Sequence, residues 1–257
     1  MCRECLAKSW AAYSRSYVAM AIGSIAIMLF VAAMFGASLF LVFKNPAVIL
    51  TDEYLSLELS PLLPAGVGIV AFAILFGIVL QAGFYGMAME SLGKKTDLPT
   101  MIRTMKKVWK ESIGAFLLVG LIYIIIISFF VMVPIGIGAG SFGSQTALYS
   151  VLIAGILIVF LISVFLTLVY PSLISGKGAV ASIRDSVKVA SSSYFKLLLL
   201  VAFFFVLSFA SRELLGLIPA IGNILGVLIS SAVIMPWQAV AFSAFYKKYA
   251  SKRKSSR

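Results

Sequence analysis

The sequence predicts an all-α fold: a polytopic membrane bundle of six transmembrane helices, with two cytoplasmic amphipathic helices and an internal repeat. Three observations lead there. Of 257 residues, 62% are apolar and only 12% charged, with a mean hydropathy of +1.10, whereas an ordinary soluble domain is about half apolar and about a quarter charged. Six apolar stretches are each long enough to cross about 30 Å of hydrocarbon as a helix. The 21 Lys and Arg residues gather on alternate connections between those stretches. The same composition excludes a disordered chain, a disulfide scaffold and a secreted soluble domain.

Residues 1–16 read as a cytoplasmic tail carrying Arg3, Lys8, Arg15 and a C-x-x-C formed by Cys2 and Cys5. A structural zinc site there lacks two further ligands. Acylation or free thiols in a reducing compartment remain, and free thiols are preferred. The first span, 17–43, far exceeds the apolar region of a signal peptide and is followed by no small-residue cleavage pattern, so it is expected to be retained. Further spans are expected at 65–89, 113–136, 147–171, 197–219 and 221–246, making 17–246 one membrane domain, before a basic tail at 247–257. The fifth span is interrupted by Ser211, Arg212 and Glu213, which places Arg212 near the outer headgroups.

Six crossings put nineteen of the cations on one side and leave Lys44 and Arg212 on the other. By the positive-inside rule both termini and the two long loops are cytoplasmic, in the plasma membrane of a prokaryotic cell. Both long loops carry helical periodicity. Leu98, Met101, Met105 and Val108 recur at helical steps beside a basic face of Arg103, Lys106, Lys107 and Lys110, with Thr96 or Asp97 ahead of Pro99 as the start signal. Val180, Ile183, Val187, Ala190 and Tyr194 do the same beside Arg184 and Lys188. Both segments are expected to lie on the inner leaflet. They also share I-R-x-x-x-K-V, from Ile102 and from Ile183, and the same 81-residue shift lays Ser91 and Leu92 on Ser172 and Leu173. The expected unit is span, basic helix, span, repeated about an axis along the membrane normal.

Beside a membrane, Arg103, Lys106, Lys107, Lys110, Arg184, Lys188, Lys247 and Lys248 are expected to contact anionic lipid headgroups rather than nucleic acid. Gly222, Gly226 and Ser230 in the sixth span, and Ala73 with Gly77 and Ala82 with Gly86 in the second, put small residues four apart, a pattern that lets helices approach closely in lipid. Pro134, Pro171, Pro219 and Pro236 are expected to kink or end spans. Gln81, Arg212 and Glu213 are the candidate intramembrane polar groups, Gln81 as an interhelical staple before a ligand contact.

Catalytic chemistry finds little to use. The chain has no histidine and no recognisable nucleophile, metal or phosphate-loop motif, so no cofactor and no metal site are expected. Asp52 and Glu53 read as a solvated acidic loop. The function expected is therefore a noncatalytic membrane module that binds lipid, a membrane-protein partner or a second copy of itself. A small permease for an amphipathic or small solute is the main alternative, and it needs polar groups converging at mid-depth. A lipid-headgroup enzyme is the more distant one.

The run from Tyr170 through Pro171, Gly176, Gly178 and Ile183 to Ser186, closing with Pro236 and Tyr246 before Lys247 and Lys248, resembles prokaryotic multi-span proteins of unknown function. These are related to the membrane domain of some glycerophosphoryl diester phosphodiesterases. The resemblance implies a six-helix membrane domain over residues 65–250 and brings no reaction, because the family's chemistry resides in an attached soluble barrel whose histidine and acidic ligands this chain does not carry.

Overall fold

The computed structural model describes residues 3–42, 63–129, 145–218 and 221–255. Every regular element among them is helical: α1 (Arg3–Arg15), α2 (Tyr17–Val42), α3 (Leu63–Ser91), α4 (Leu98–Ile127), α5 (Gln145–Leu166), α6 (Val169–Ile174), α7 (Ala179–Ser192), α8 (Tyr194–Gly216), α9 (Gly222–Ile229) and α10 (Met235–Ser255), with a turn of π-helix, Ser230–Ile234, joining α9 to α10. Six stretches are long and apolar enough to cross a membrane: Tyr17–Ser38, Pro64–Ser91, Leu98–Ile127, Ile153–Ile174, Tyr194–Gly216 and Ile224–Ser251. The chain is an all-α, multi-pass membrane protein. Hydrocarbon offers no partner to peptide groups, so a spanning segment satisfies them internally as helix.

Three apolar clusters hold the bundle. One joins Leu168, Leu197, Leu200 and Phe204 to Phe242 and Phe245 of α10. A second joins Ala12 and Tyr13 of α1 to Met20, Phe84, Met87 and Val240. The third packs Ala82, Val108 and Ala115 on Leu166, Val169 and Leu173. Helix α10 is common to the first two and ties the halves together. Large apolar side chains such as Phe35, Ile124, Phe205 and Leu214 face outward, as lipid requires.

Prolines explain two irregularities that the span boundaries did not anticipate. The expected span 147–171 breaks at Thr167 and Leu168, because Pro171 has no N–H to donate to the Thr167 carbonyl and its ring clashes with that carbonyl. In the expected span 221–246, Pro236 likewise leaves the carbonyl of Ala232 without its helical partner. The backbone widens into the π turn, and the Tyr13 hydroxyl donates to that carbonyl at 2.8 Å.

Four further expectations are corrected. Residues 98–110 are not a separate helix on the leaflet: α4 runs unbroken from Leu98 into its span, since Glu111 and Ser112 contain no helix breaker. Asp97 caps it, accepting from the Thr100 N–H at 3.2 Å and hydroxyl at 2.8 Å, with Pro99 in the first turn. Helix α7 does stand alone, but Ser182, Ser186, Val189 and Ala190 are buried, and Ser186 Oγ donates to the Phe165 carbonyl at 2.6 Å. It is built into the bundle. The tails are helical as well: α10 continues through residues 247–255, and α1 runs antiparallel along it, pairing Glu4 with Lys248, Ser9 with the Trp237 indole N–H at 3.0 Å, and Tyr13 with Ala232. Cys5 is disulfide-bonded rather than a free thiol, and Cys2, the other cysteine in the sequence, lies outside the described residues. The 81-residue shift carries Leu98, the first residue of α4, onto Ala179, the first of α7.

Candidate functional site

Gln81 stands ten residues, about 15 Å, before the end of α3 at Ser91. It opens into a cavity of about 800 Å³ between α2, α3 and the start of α10, within the range of small-molecule sites. Its walls are chiefly aliphatic and aromatic, including Val31, Phe35, Ile74 and Phe84. Its polar groups are the amides of Gln81 and Gln238 and the hydroxyls of Ser24 and Tyr85. Among the described residues neither glutamine side chain makes a hydrogen bond within the chain. Gln81 is therefore no interhelical staple, and the structure brings a second amide to the same space. Gln238 was passed over in the sequence reading although it lies inside the expected span 221–246, in the first turn of α10 beside Pro236 and Trp237.

Ala73 and Gly77 line this groove instead of forming a close crossing. A Cβ on Gly77 would lie 3.9 Å from Val31 Cγ2, its nearest neighbour. The close approach of α3 is to α4, at Gly83 and Gly86, where a Cβ would fall 2.4 Å from Met105 Cγ and from Thr104 Oγ1 respectively. On α9, a Cβ at Gly222 would fall 1.9 Å from the Leu215 carbonyl oxygen, and one at Gly226 3.4 Å from Arg212 Cα, so both glycines seat α9 against α8. Ser230, at the start of the π turn, has a buried hydroxyl without a hydrogen-bond partner. Arg212 and Glu213 are exposed on the last turns of α8, beside a cavity of about 580 Å³ that they share with Ser208 and Phe209. That cavity shares no lining residue with the Gln81 groove, so the three candidate intramembrane polar residues do not converge on one cavity.

From the groove, the Tyr85 ring stacks on Tyr170 with centroids 5.2 Å apart. Tyr170 leads into α6 and the turn at Gly176, whose φ of 91° suits glycine. That turn returns the chain into α7 and assembles a polar cluster at the basic end of the bundle. Tyr246 of α10 donates its hydroxyl to Asp185 Oδ2 at 2.7 Å, Ser172 donates to the same oxygen at 3.1 Å, and Lys177 pairs with it at 2.5 Å. Ser175 Oγ lies 3.2 Å from the Tyr246 hydroxyl, and the Lys177 ammonium sits 5.7 Å over the Tyr246 ring. Burial alone would push the Asp185 carboxyl up, but the bonds from Lys177, Tyr246 and Ser172 prevail and hold it below the usual carboxylate range. Burial pulls Lys177 down, and Asp185 with Tyr246 more than offsets this, holding it above the usual lysine range.

The cations singled out in the sequence line the same end. Arg103, Lys106, Lys107, Lys110, Arg184 and Lys247 are exposed, and Lys188 and Lys248 half-buried. Lys247 Nζ donates to the Met89 carbonyl at 3.0 Å, and Lys248 is paired with Glu4. Asp52 and Glu53 lie outside the described residues, as does Pro134. Among the described residues no group of three or more Cys, Asp or Glu gathers in a way that could hold a metal ion. Neither a protein-family model, a curated protein nor a solved structure matches this chain.

Proposed function

We propose that this chain is a noncatalytic membrane module that holds an amphipathic, lipid-like molecule in the groove between α2, α3 and α10. The observation that carries the reading is the pair of amides, Gln81 and Gln238, without hydrogen bonds to the described residues and facing a chiefly apolar cavity. Surrounded by hydrocarbon, an amide without a partner is costly, and a ligand bearing an ester, hydroxyl or headgroup oxygen relieves that cost while its chain covers the aliphatic wall. The noncatalytic part rests on the residue inventory, which has no histidine.

The cation distribution supports an orientation with both termini in the cytoplasm of a prokaryotic cell, where anionic lipids attract Arg103, Lys106, Lys107, Lys110, Arg184 and Lys188. The shared start of α4 and α7 under the 81-residue shift supports an internal duplication. Kinship with the membrane domain of glycerophosphoryl diester phosphodiesterases rests on the Tyr170 to Ser186 stretch and Tyr246 alone.

The test is extraction from native membrane followed by identification of retained lipids. One lipid class is expected to be enriched over the bulk membrane, and Gln81→Leu with Gln238→Leu is expected to abolish that enrichment while the protein remains folded. Retained lipid of bulk composition overturns the reading. A permease is the second reading, favoured by the two amides lining one cavity, with Gln81 about 15 Å before the end of α3. Sealed vesicles reconstituted with the protein are then expected to show flux of an amphipathic solute that the same double variant stops.

A further inference from the structure

A third cavity, of about 430 Å³, opens between α1 and α10 at the basic end. Three ammonium groups border it, those of Lys8, Lys247 and Lys248, against the single carboxylate of Glu4. That carboxylate is paired with Lys248. Lys8 has no carboxylate partner among the described residues. Lys247 is held in place by the Met89 carbonyl at 3.0 Å, an acceptor in the last turn of α3 that the helix itself leaves free, and two of its three N–H groups remain to be used. Two unneutralised cations thus share one enclosure, and their mutual repulsion is relieved by an anion between them. Leu92 and Ala244 give the same cavity an apolar side.

The geometry points to a phosphate-binding site formed by Lys8 and Lys247 between the first and last helices. Its ligand is a phosphate-bearing group, either the headgroup of an anionic lipid or a soluble phosphate. A tetrahedral anion with several oxygens accepts from both ammoniums at once, and lysine is a common point-charge partner for phosphate. The Lys248–Glu4 pair closes one edge and keeps the carboxylate from competing for the two free cations. The site is separate from the Gln81 groove, and neither depends on the other.

Binding is measured on the full chain in uncharged detergent with two probes, inorganic phosphate and dispersed phosphatidic acid, each against phosphatidylcholine as the reference. Saturable binding of inorganic phosphate assigns a soluble ligand, and binding of phosphatidic acid without inorganic phosphate assigns a lipid. Lys8→Gln with Lys247→Gln is expected to weaken the bound probe by about tenfold or more. Lys95→Gln with Lys196→Gln, which removes the same charge from exposed positions outside the cavity, is expected to change it by less than about twofold. Lys8→Gln alone alters an exposed side chain and serves if the double variant does not fold, with an expected loss of about fivefold. The proposal is overturned if the wild type binds neither probe, if both charge-matched pairs weaken binding alike, or if Lys8→Gln binds as well as wild type.

Discussion

Asp185 carries the polar cluster at the basic end, because one of its oxygens accepts from Tyr246, Ser172 and Lys177 together. Its carboxyl is held below the usual range, so its share of stability is present above the unfolded value of about 4 and is lost as pH falls through the folded one. Lys177 is held above its usual range, so its share is complete below about pH 10 and is lost as pH rises through the folded value. Asp185→Asn is expected to lower the unfolding free energy at pH 7 by about 1–3 kcal/mol, with a gap from wild type that narrows below about pH 4. Thermal unfolding in detergent at pH 3 and pH 7 measures this, and an equal gap at both would show that charge plays no part. None of the cluster was legible as a cluster. Asp185 and Tyr246 are 61 residues apart, whereas periodicity reports only neighbours on one helix. Gln81 was legible because an amide inside a long apolar run stands out; its role was not, since that depended on Gln238 arriving from another helix.

At the scale of elements, hydropathy located the spans but not the breaks in the backbone. The segment from Leu98 to Lys110 and the span after it differ in polarity, yet no residue between them interrupts a helix, so one rod crosses both environments. Small residues four apart lie against a neighbouring helix at Gly222 and Gly226 of α9 but not at Gly77 of α3, because spacing alone cannot say which side of a helix meets a neighbour. Two glycines of α3 separate the cases. Gly86→Ala is expected to destabilise by about 1–3 kcal/mol, since its Cβ would fall 2.4 Å from Thr104 Oγ1. Gly77→Ala is expected to stay within about 1 kcal/mol of wild type, with its nearest neighbour 3.9 Å away. Denaturant titration of both variants in one detergent checks the contrast, and equal losses would mean that the α3–α4 crossing is looser than described.

At the scale of the whole molecule, the contacts of α1 with α10 put the two ends of the chain on one side of the bundle, in keeping with an even number of crossings. Reporter tags fused at Met1 and Arg257 are therefore expected to read out from the same compartment, and opposite readings would refute the six-span topology. The alternation of charge pointed in the sequence to an even number of crossings. The clasp between the ends was not, because α1 is short and carries three cations, so its small buried face of Cys5, Ser9, Ala12 and Tyr13 passed for a tail. That clasp sets an order on biosynthesis. Tyr13 meets its acceptor, the carbonyl freed by Pro236, across 219 residues of chain, so the first helix leaves the ribosome long before the π turn it must cap has been made. Until then its apolar face meets Met20 of α2 and Phe84 and Met87 of α3, and the side that α10 covers is open to chaperones or to other chains. The last helix completes the docking of the first, and a ribosome stalled ahead of Pro236 would leave the earliest segment held by α2 and α3 alone.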